Sequence, residues 1–121
     1  GWHLDYDNDG VPDKVFGYGA STDIPITGDW NGDGKDTIGI FRNGGWHLDY
    51  DNDGVPDKVF GYGISTDVPV VGDWNGDGKD TAGLFRNGVW YLDYDNDAIP
   101  DKTLVYGAST DVPITGDWLK T

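Results

Sequence analysis

The sequence predicts an all-β fold built from tandem four-stranded antiparallel repeats. Gly45 begins a segment that repeats the one beginning at Gly1, so the period is 44 residues, and only six positions differ between residues 1–44 and 45–88. Each repeat contains short runs of alternating apolar and polar residues, the pattern of half-buried strands. No run has the 3.6-residue spacing of an amphipathic helix, and the 20 glycines are spread along the chain.

The middle of the chain shows the four strands of one repeat unit. They are predicted at residues 68–74, 81–87, 89–94 and 102–107. Asn87-Gly88, like Asn43-Gly44, lies between two such runs and predicts a type I′ turn, in which both central residues have positive φ. A period of about 40–45 residues is typical of β-propeller blades, so the predicted fold is β-propeller-like.

The repeats form one continuous domain. We assign residues 1–44 to repeat 1, residues 45–88 to repeat 2 and residues 89–121 to a partial repeat 3. The predicted strands fall into groups of two, four, four and one. This is fewer than three blades, whereas propellers typically close with about four to eight. Because exposed sheet edges promote pairing between chains, we expect a partial propeller, or one that is completed by a homo-oligomer.

The composition excludes several classes of function. The net charge is −14, and all 22 acidic residues are aspartate, which favours turns and loops. This charge argues against nucleic-acid binding and against attraction to anionic membranes. The absence of cysteine excludes a disulfide framework and thiol chemistry. No apolar run is long enough to predict a membrane span.

An acidic motif, DYDNDGVPD, spans residues 5–13, returns at 49–57, and recurs as DYDNDAIPD at 93–101. Carboxylates on alternate residues, followed by a glycine turn, can surround a hard cation such as Ca²⁺. We predict side-chain ligands at loop positions 1, 3, 5 and 9 and a backbone carbonyl ligand at position 7. The predicted ligands are Asp5, Asp7, Asp9, Val11 and Asp13; Asp49, Asp51, Asp53, Val55 and Asp57; and Asp93, Asp95, Asp97, Ile99 and Asp101.

A second acidic motif, GDWNGDGKDT, spans residues 28–37 and 72–81. Its candidate ligands lie at positions 1, 3 and 5, with a lysine carbonyl at position 7 and either Asp or Thr closing the site. They are Asp29, Asn31, Asp33, Lys35 and Asp36 or Thr37, and Asp73, Asn75, Asp77, Lys79 and Asp80 or Thr81. Because position 9 is threonine, we expect weaker sites or sites that use a water. Neither motif has the glutamate that an EF-hand needs at position 12.

The residues GDWNGDGKDTIG resemble the FG-GAP/VCBS-type repeat, and DxDxDGVPD resembles the calcium loops of thrombospondin type 3 repeats. The resemblance covers nearly the entire chain. It implies propeller blades of the kind found in the integrin α-subunit head, calcium ions in the loops, and a secreted or cell-surface location. Because alternating strands place the first and third loops of a repeat at the same end, both loop types are expected on one face.

The third DxDxD loop departs from the pattern. Ala98 replaces Gly10 and Gly54 at a position that requires positive φ. A Cβ in that conformation costs about 1–2 kcal/mol. We therefore expect this loop to bind its cation more weakly, while its aspartates still form a site.

The predicted function is that of a non-enzymatic, calcium-stabilised scaffold for extracellular binding or adhesion. No Ser-His-Asp set, cysteine nucleophile or phosphate-binding loop is recognisable. The alternatives are a lectin-like propeller that stacks glycans on its aromatic side chains, and an engineered, self-assembling scaffold without a natural ligand. Self-association is expected, and a protein or a glycan ligand is left open. The repeat-phased tryptophans are expected in the core: Trp2, Trp30, Trp46, Trp74, Trp90 and Trp118.

Overall fold

A computed structural model describes residues 1–116, and within them the chain forms ten strands and no helix. The strands are β1 (Trp2–Leu4), β2 (Lys14–Phe16), β3 (Ile24–Gly28), β4 (Thr37–Arg42), β5 (Gly45–Leu48), β6 (Lys58–Gly61), β7 (Val68–Gly72), β8 (Thr81–Arg86), β9 (Val89–Leu92) and β10 (Lys102–Val105). They build three antiparallel sheets, β1–β2, β3–β4–β5–β6 and β7–β8–β9–β10. The predicted all-β, four-stranded repeat architecture is confirmed, and it is consistent with partial propeller-like repeats. In the described part of the chain no helix is long and apolar enough to cross a membrane.

Each complete sheet joins the end of one sequence repeat to the start of the next. The first four-stranded sheet extends from Ile24 to Gly61 and the second from Val68 to Val105. The four strands predicted in the middle of the chain are all present, each one or two residues shorter at its end. The single strand predicted near the end of the chain is not formed by residues 112–116, and the rest of it lies outside the described residues. The corresponding strands β3 and β7 pair with β4 and β8, whereas residues 112–116 pair with no described strand.

The asparagine-glycine turns adopt the predicted conformation. Asn43 and Gly44 have φ values of 49° and 83°, and Asn87 and Gly88 have values of 52° and 81°. Both central residues therefore lie in the left-handed region that a type I′ turn requires. The turns join the central strands β4 to β5 and β8 to β9, whose registers are Arg42↔Gly45 and Arg86↔Val89.

The two complete sheets pack on each other through an apolar core. Trp46 and Leu48 are fully buried in the first sheet, and Ala82 and Leu84 face them from the second. The hydroxyl of Tyr62 crosses between the sheets and donates to the carbonyl oxygen of Tyr91 at 3.0 Å. This contact satisfies a polar group that the packing would otherwise leave without a partner.

The tryptophans of the described residues have structural roles. The indole N–H groups of Trp2, Trp46 and Trp90 donate to the carbonyl oxygens sixteen residues later, each at 3.0 Å. Those of Trp30 and Trp74 donate to carbonyl oxygens eight residues later, at 3.2 and 3.1 Å. Trp30 and Trp46 are buried and the other three are half-buried, as the core assignment predicts. Trp118 lies outside the described residues.

The two ends of each sheet differ in chemistry. At one end, Asn52 accepts a hydrogen bond from the amide of Ile38 at 3.0 Å, so the loop after β5 lies beside the loop that precedes β4. At the other end, the Arg42 guanidinium holds both carboxylate oxygens of Asp23 at 2.7 Å. The Arg42 hydrogen bonds lower the pKa of Asp23 to about 2. Both acidic loop types therefore share one end, as predicted, and the arginine pairs occupy the opposite end.

Candidate metal centres

The loop at residues 49–57 wraps around the carboxylate of its first aspartate. Asp49 is fully buried at the end of β5. Its Oδ1 accepts from the amides of Asp51 at 3.2 Å and Asp53 at 3.3 Å, and its Oδ2 accepts from the amide of Gly54 at 2.8 Å. Gly54 has a φ of 84°, which lets the chain reverse at this point. The later side chains of the loop are thereby turned back towards Asp49.

The ninth position completes the same loop. The carboxylate of Asp57 accepts from the amide of Tyr50 at 2.6 Å, and the Asp57 amide donates to the Leu48 carbonyl at 2.7 Å. At position 7, Val55 donates its amide to Asp53 at 2.8 Å, and its side chain is exposed. The loop therefore turns its carboxylates inward and its apolar side chain outward.

The three DxDxD loops bring carboxylates together as the spacing predicted. In each group, one carboxylate oxygen per residue lies within 4.8 Å of the others. The groups are Asp49, Asp51, Asp53 and Asp57; Asp93, Asp95, Asp97 and Asp101; and Asp5, Asp7 and Asp13. Asp9 is the one predicted carboxylate that does not join its group.

The first loop differs from the other two in its support. In the complete sheets, Asn52 and Asn96 at loop position 4 accept from the amides of Ile38 and Ala82, at 3.0 and 2.8 Å. The asparagine side chain thus fastens each loop to the neighbouring strand. Asn8 lies in the loop between β1 and β2, and the described residues include no strand at the corresponding position beside it. The first loop, which lacks this support, is also the loop whose carboxylate group has three members instead of four.

Burial and hydrogen bonding shift the pKa values of three carboxyl groups in these loops. Burial raises the pKa of Asp93 to about 6. Burial and the contact with Asp49 raise the pKa of Asp51. In the more open first loop, hydrogen bonds from backbone amides, foremost that of Gly10, lower the pKa of Asp5. Like charges at these separations repel each other strongly when little water screens them, so a cation among the carboxylates would relieve this repulsion in the two supported loops.

Ala98 adopts the predicted strained conformation, with a φ of 70°. Its amide still donates to Oδ2 of Asp93 at 2.7 Å, as the Gly54 amide does to Asp49. The alanine therefore retains the loop geometry at a cost in backbone strain. The weaker cation binding expected of this loop stays a prediction.

The NGDG loops begin in the same way but assemble differently. Oδ2 of Asp29 accepts from the amide of Gly34 at 2.8 Å, and Oδ2 of Asp73 accepts from that of Gly78 at 2.9 Å. At position 7, the amides of Lys35 and Lys79 donate to the position-5 carboxylates at 2.9 Å. Within residues 1–116, however, neither NGDG loop brings three carboxylates together.

The closing residues of these loops have other partners. The Asp80 carboxylate accepts from the amide of Asp29 in the neighbouring loop at 2.8 Å, and the Asp80 amide donates to the Asp29 carbonyl at 2.9 Å. Thr37 and Thr81 are buried at the starts of β4 and β8. Asp36, the counterpart of Asp80, makes no such bond within the described part of the chain. We call the paired Asp80–Asp29 bonds the loop clamp. Because it joins residues of two different repeats, no pattern within a single repeat predicts it.

A cavity of about 760 Å³ lies between the first two repeats on the acidic face. It is bordered by both acidic loop types and by two tyrosines and two lysines. Its walls include Tyr6, Lys14, Asp33, Lys35, Tyr50 and Asn52. The Lys14 ammonium group donates to the carbonyl of Asn52 at 2.7 Å, which ties the first hairpin to the second loop.

Comparisons of the chain with protein-family models, curated proteins and solved structures found no match.

Proposed function

We propose that this chain is a calcium-stabilised, non-enzymatic β-repeat module of the FG-GAP/VCBS type that acts as an extracellular binding or adhesion scaffold. The observation that carries the proposal is the convergence of aspartate carboxylates in three loops of the same sequence pattern. A single exposed acidic cluster is common without any cation. Three loops that bring their carboxylates together in the same way are stronger support for a cation site.

The donor set favours calcium over other cations. The three groups contain only carboxylates, and the sequence has no cysteine and no histidine in these loops. Zinc prefers nitrogen and sulfur ligands, and magnesium retains several waters in a strict octahedron. Calcium accepts about six to eight oxygen ligands in flexible geometry, which suits a loop of four carboxylates and a backbone carbonyl.

The scaffold function follows from linkage between calcium binding and folding. A cation that binds the folded loops and not the unfolded chain adds about 2.7 kcal/mol per site at a hundredfold excess over its Kd. Extracellular calcium modules commonly have Kd values of about 10⁻⁴–10⁻³ M. Such sites order the loops fully only where calcium is abundant, which supports a secreted or cell-surface location.

The decisive experiment is a calorimetric titration of EDTA-treated protein with calcium. We expect saturable binding of at least one ion for each of the three convergent loops, together with a higher thermal midpoint. The same titration with magnesium serves as the control and should give weaker binding and a smaller rise. Absence of binding at millimolar calcium would refute the proposed function.

The cavity between the first two repeats supports a second candidate, a carbohydrate-binding site. An exposed tyrosine, Tyr6, and a half-buried one, Tyr50, beside carboxylates, amides and lysines offer a stacking surface with hydrogen-bonding groups for hydroxyls. Binding to a glycan array should then be lost in Tyr50→Ala. Tyr94→Ala, at the same loop position but outside this cavity, is the matched control. An array without signal for the unmodified protein would exclude this candidate.

A further inference from the structure

An apolar surface lies at the end of the second four-stranded sheet. Four large apolar side chains there are 71–83% exposed. We call them the terminal face: Val105, Tyr106, Val112 and Ile114. All four lie on β10 or in the segment that follows it, and exposed apolar surface commonly marks interaction sites.

One repeat earlier, two of the corresponding side chains are buried. Tyr62 is the counterpart of Tyr106 one repeat earlier, and it is only 6% exposed, compared with 74% for Tyr106. Val70 is the counterpart of Ile114, and the two side chains are 6% and 71% exposed. The same positions are therefore buried in one repeat and open in the next.

The cover of Tyr62 is the neighbouring sheet. Tyr62 packs in one cluster with Ala82 and Leu84 of β8, and its hydroxyl donates to the Tyr91 carbonyl on β9 at 3.0 Å. The residue at the Tyr91 position in the first hairpin is His3, which is exposed on β1. The hydrogen-bond donor Tyr106 is therefore exposed at the terminal face. The residue that corresponds to its acceptor, His3 on β1, is exposed as well.

We propose that the terminal face binds the β1–β2 hairpin of a second copy of this chain, head to tail, repeating the contact that Tyr62 makes with β9 between the two complete sheets. Tyr106 would then donate to the His3 carbonyl of that copy as Tyr62 donates to Tyr91. Such a contact would continue an interface that is already present between the two complete sheets. Contacts of this heterologous type form rings when the rotation closes.

The segment after β10 is placed to take part in this contact. The hydroxyl of Thr115 donates to the carbonyl of Val71 at 2.7 Å, so residues 112–116 lie beside β7. β3 and β7 are neighbours in the same way at the junction between the complete sheets. The segment therefore lies at the first-strand position of the next sheet, and the hairpin of the second copy would supply the third and fourth strands.

The first test is the molar mass of the chain by light scattering and sedimentation across a range of concentrations. We expect a defined oligomer for the unmodified chain, and for Tyr106→Asp a dissociation constant raised about tenfold or more. Val59→Asp is the matched control. Val59 is 57% exposed on β6, and threonine occupies its position in the third repeat, so this variant should remain oligomeric. A monomer at all concentrations, or equal effects of the two variants, would overturn the proposal.

Cross-linking tests the head-to-tail geometry. Because the chain contains no cysteine, a double variant that keeps Tyr106, His3→Cys with Val105→Cys, can be treated with a bismaleimide. We expect a ladder of covalent multimers from the double variant and monomers from either single variant. Covalent dimers from a single variant would indicate a symmetric contact and refute this geometry. Repeating the mass measurement in EDTA separates the two proposals, since an oligomer without calcium binding would refute only the proposed function.

Discussion

The two acidic loop types start alike and end differently. In both, the first aspartate accepts the amide of the sixth residue, at 2.8 Å in the pair Asp49–Gly54 and at 2.8 Å in the pair Asp29–Gly34. In the DxDxD loop the ninth residue, Asp57, brings its carboxylate back to the group. In the second NGDG loop the eighth residue, Asp80, reaches the neighbouring loop instead.

The difference shows how one turn geometry can serve two purposes. A DxDxD loop concentrates negative charge on itself around a buried aspartate, Asp49 or Asp93. The NGDG loops leave their first aspartate more open, and the second of them uses a later one, Asp80, to link two sheets. The first arrangement holds several carboxylates close together, where their charges repel one another, whereas the second links neighbouring repeats with neutral backbone groups as partners.

The largest expected difference concerns the first aspartate. Asp49→Ala removes the acceptor of three amides in a buried position, and we expect a loss of about 3 kcal/mol in the free energy of unfolding. Asp73→Ala, in the exposed loop, should cost about 1 kcal/mol because water can replace the lost acceptor. Urea unfolding in excess calcium measures both. Equal losses would contradict the distinction between buried and open loops.

The next prediction concerns the ninth position. Asp57→Ala removes one convergent carboxylate, so the calcium-dependent part of the stability should fall by up to about 2.7 kcal/mol, the full contribution of a site at a hundredfold excess over its Kd. Thr81→Ala should leave that part nearly unchanged. The measurement is thermal unfolding of each variant in EDTA and in millimolar calcium. A similar reduction in the Thr81 variant would show that both loop types hold calcium equally.

Local features of the fold could be predicted from the sequence, and contacts between repeats could not. The turns at Asn43 and Asn87, the carboxylate groups and the positive φ of Ala98 depend on residues close together in the chain. The loop clamp joins residues 29 and 80, and its position depends on how adjacent sheets pack. The alternation of apolar residues indicates that sheets pack, but it does not give their relative placement. For the same reason the failure of Asp9 to join its group was not foreseen.

A smaller effect is expected at the loop clamp. Asp80→Ala removes the acceptor for the Asp29 amide and should lower the free energy of unfolding by about 1–2 kcal/mol. Asp36→Ala changes the same repeat position where the described chain provides no neighbouring loop, so it should cost less than about 0.5 kcal/mol. Chemical unfolding of the two variants in EDTA isolates the clamp from cation binding. If Asp36→Ala costs as much as Asp80→Ala, the aspartate acts within its own loop and the assigned difference between the loop types is wrong.

The smallest effect tests how closely the third DxDxD loop matches the second. Ala98→Gly relieves about 1–2 kcal/mol of left-handed strain but adds about 0.5–1 kcal/mol of unfolded-chain entropy, so a net gain of about 0.5 kcal/mol is expected. The reciprocal change Gly54→Ala should lose a comparable amount. Calcium affinity, measured by calorimetry, should rise slightly in the first variant and fall in the second. Ala98 also packs against the core cluster, and if Ala98→Gly lowers both stability and affinity, this packing outweighs the strain and the alanine is an adaptation of the third loop.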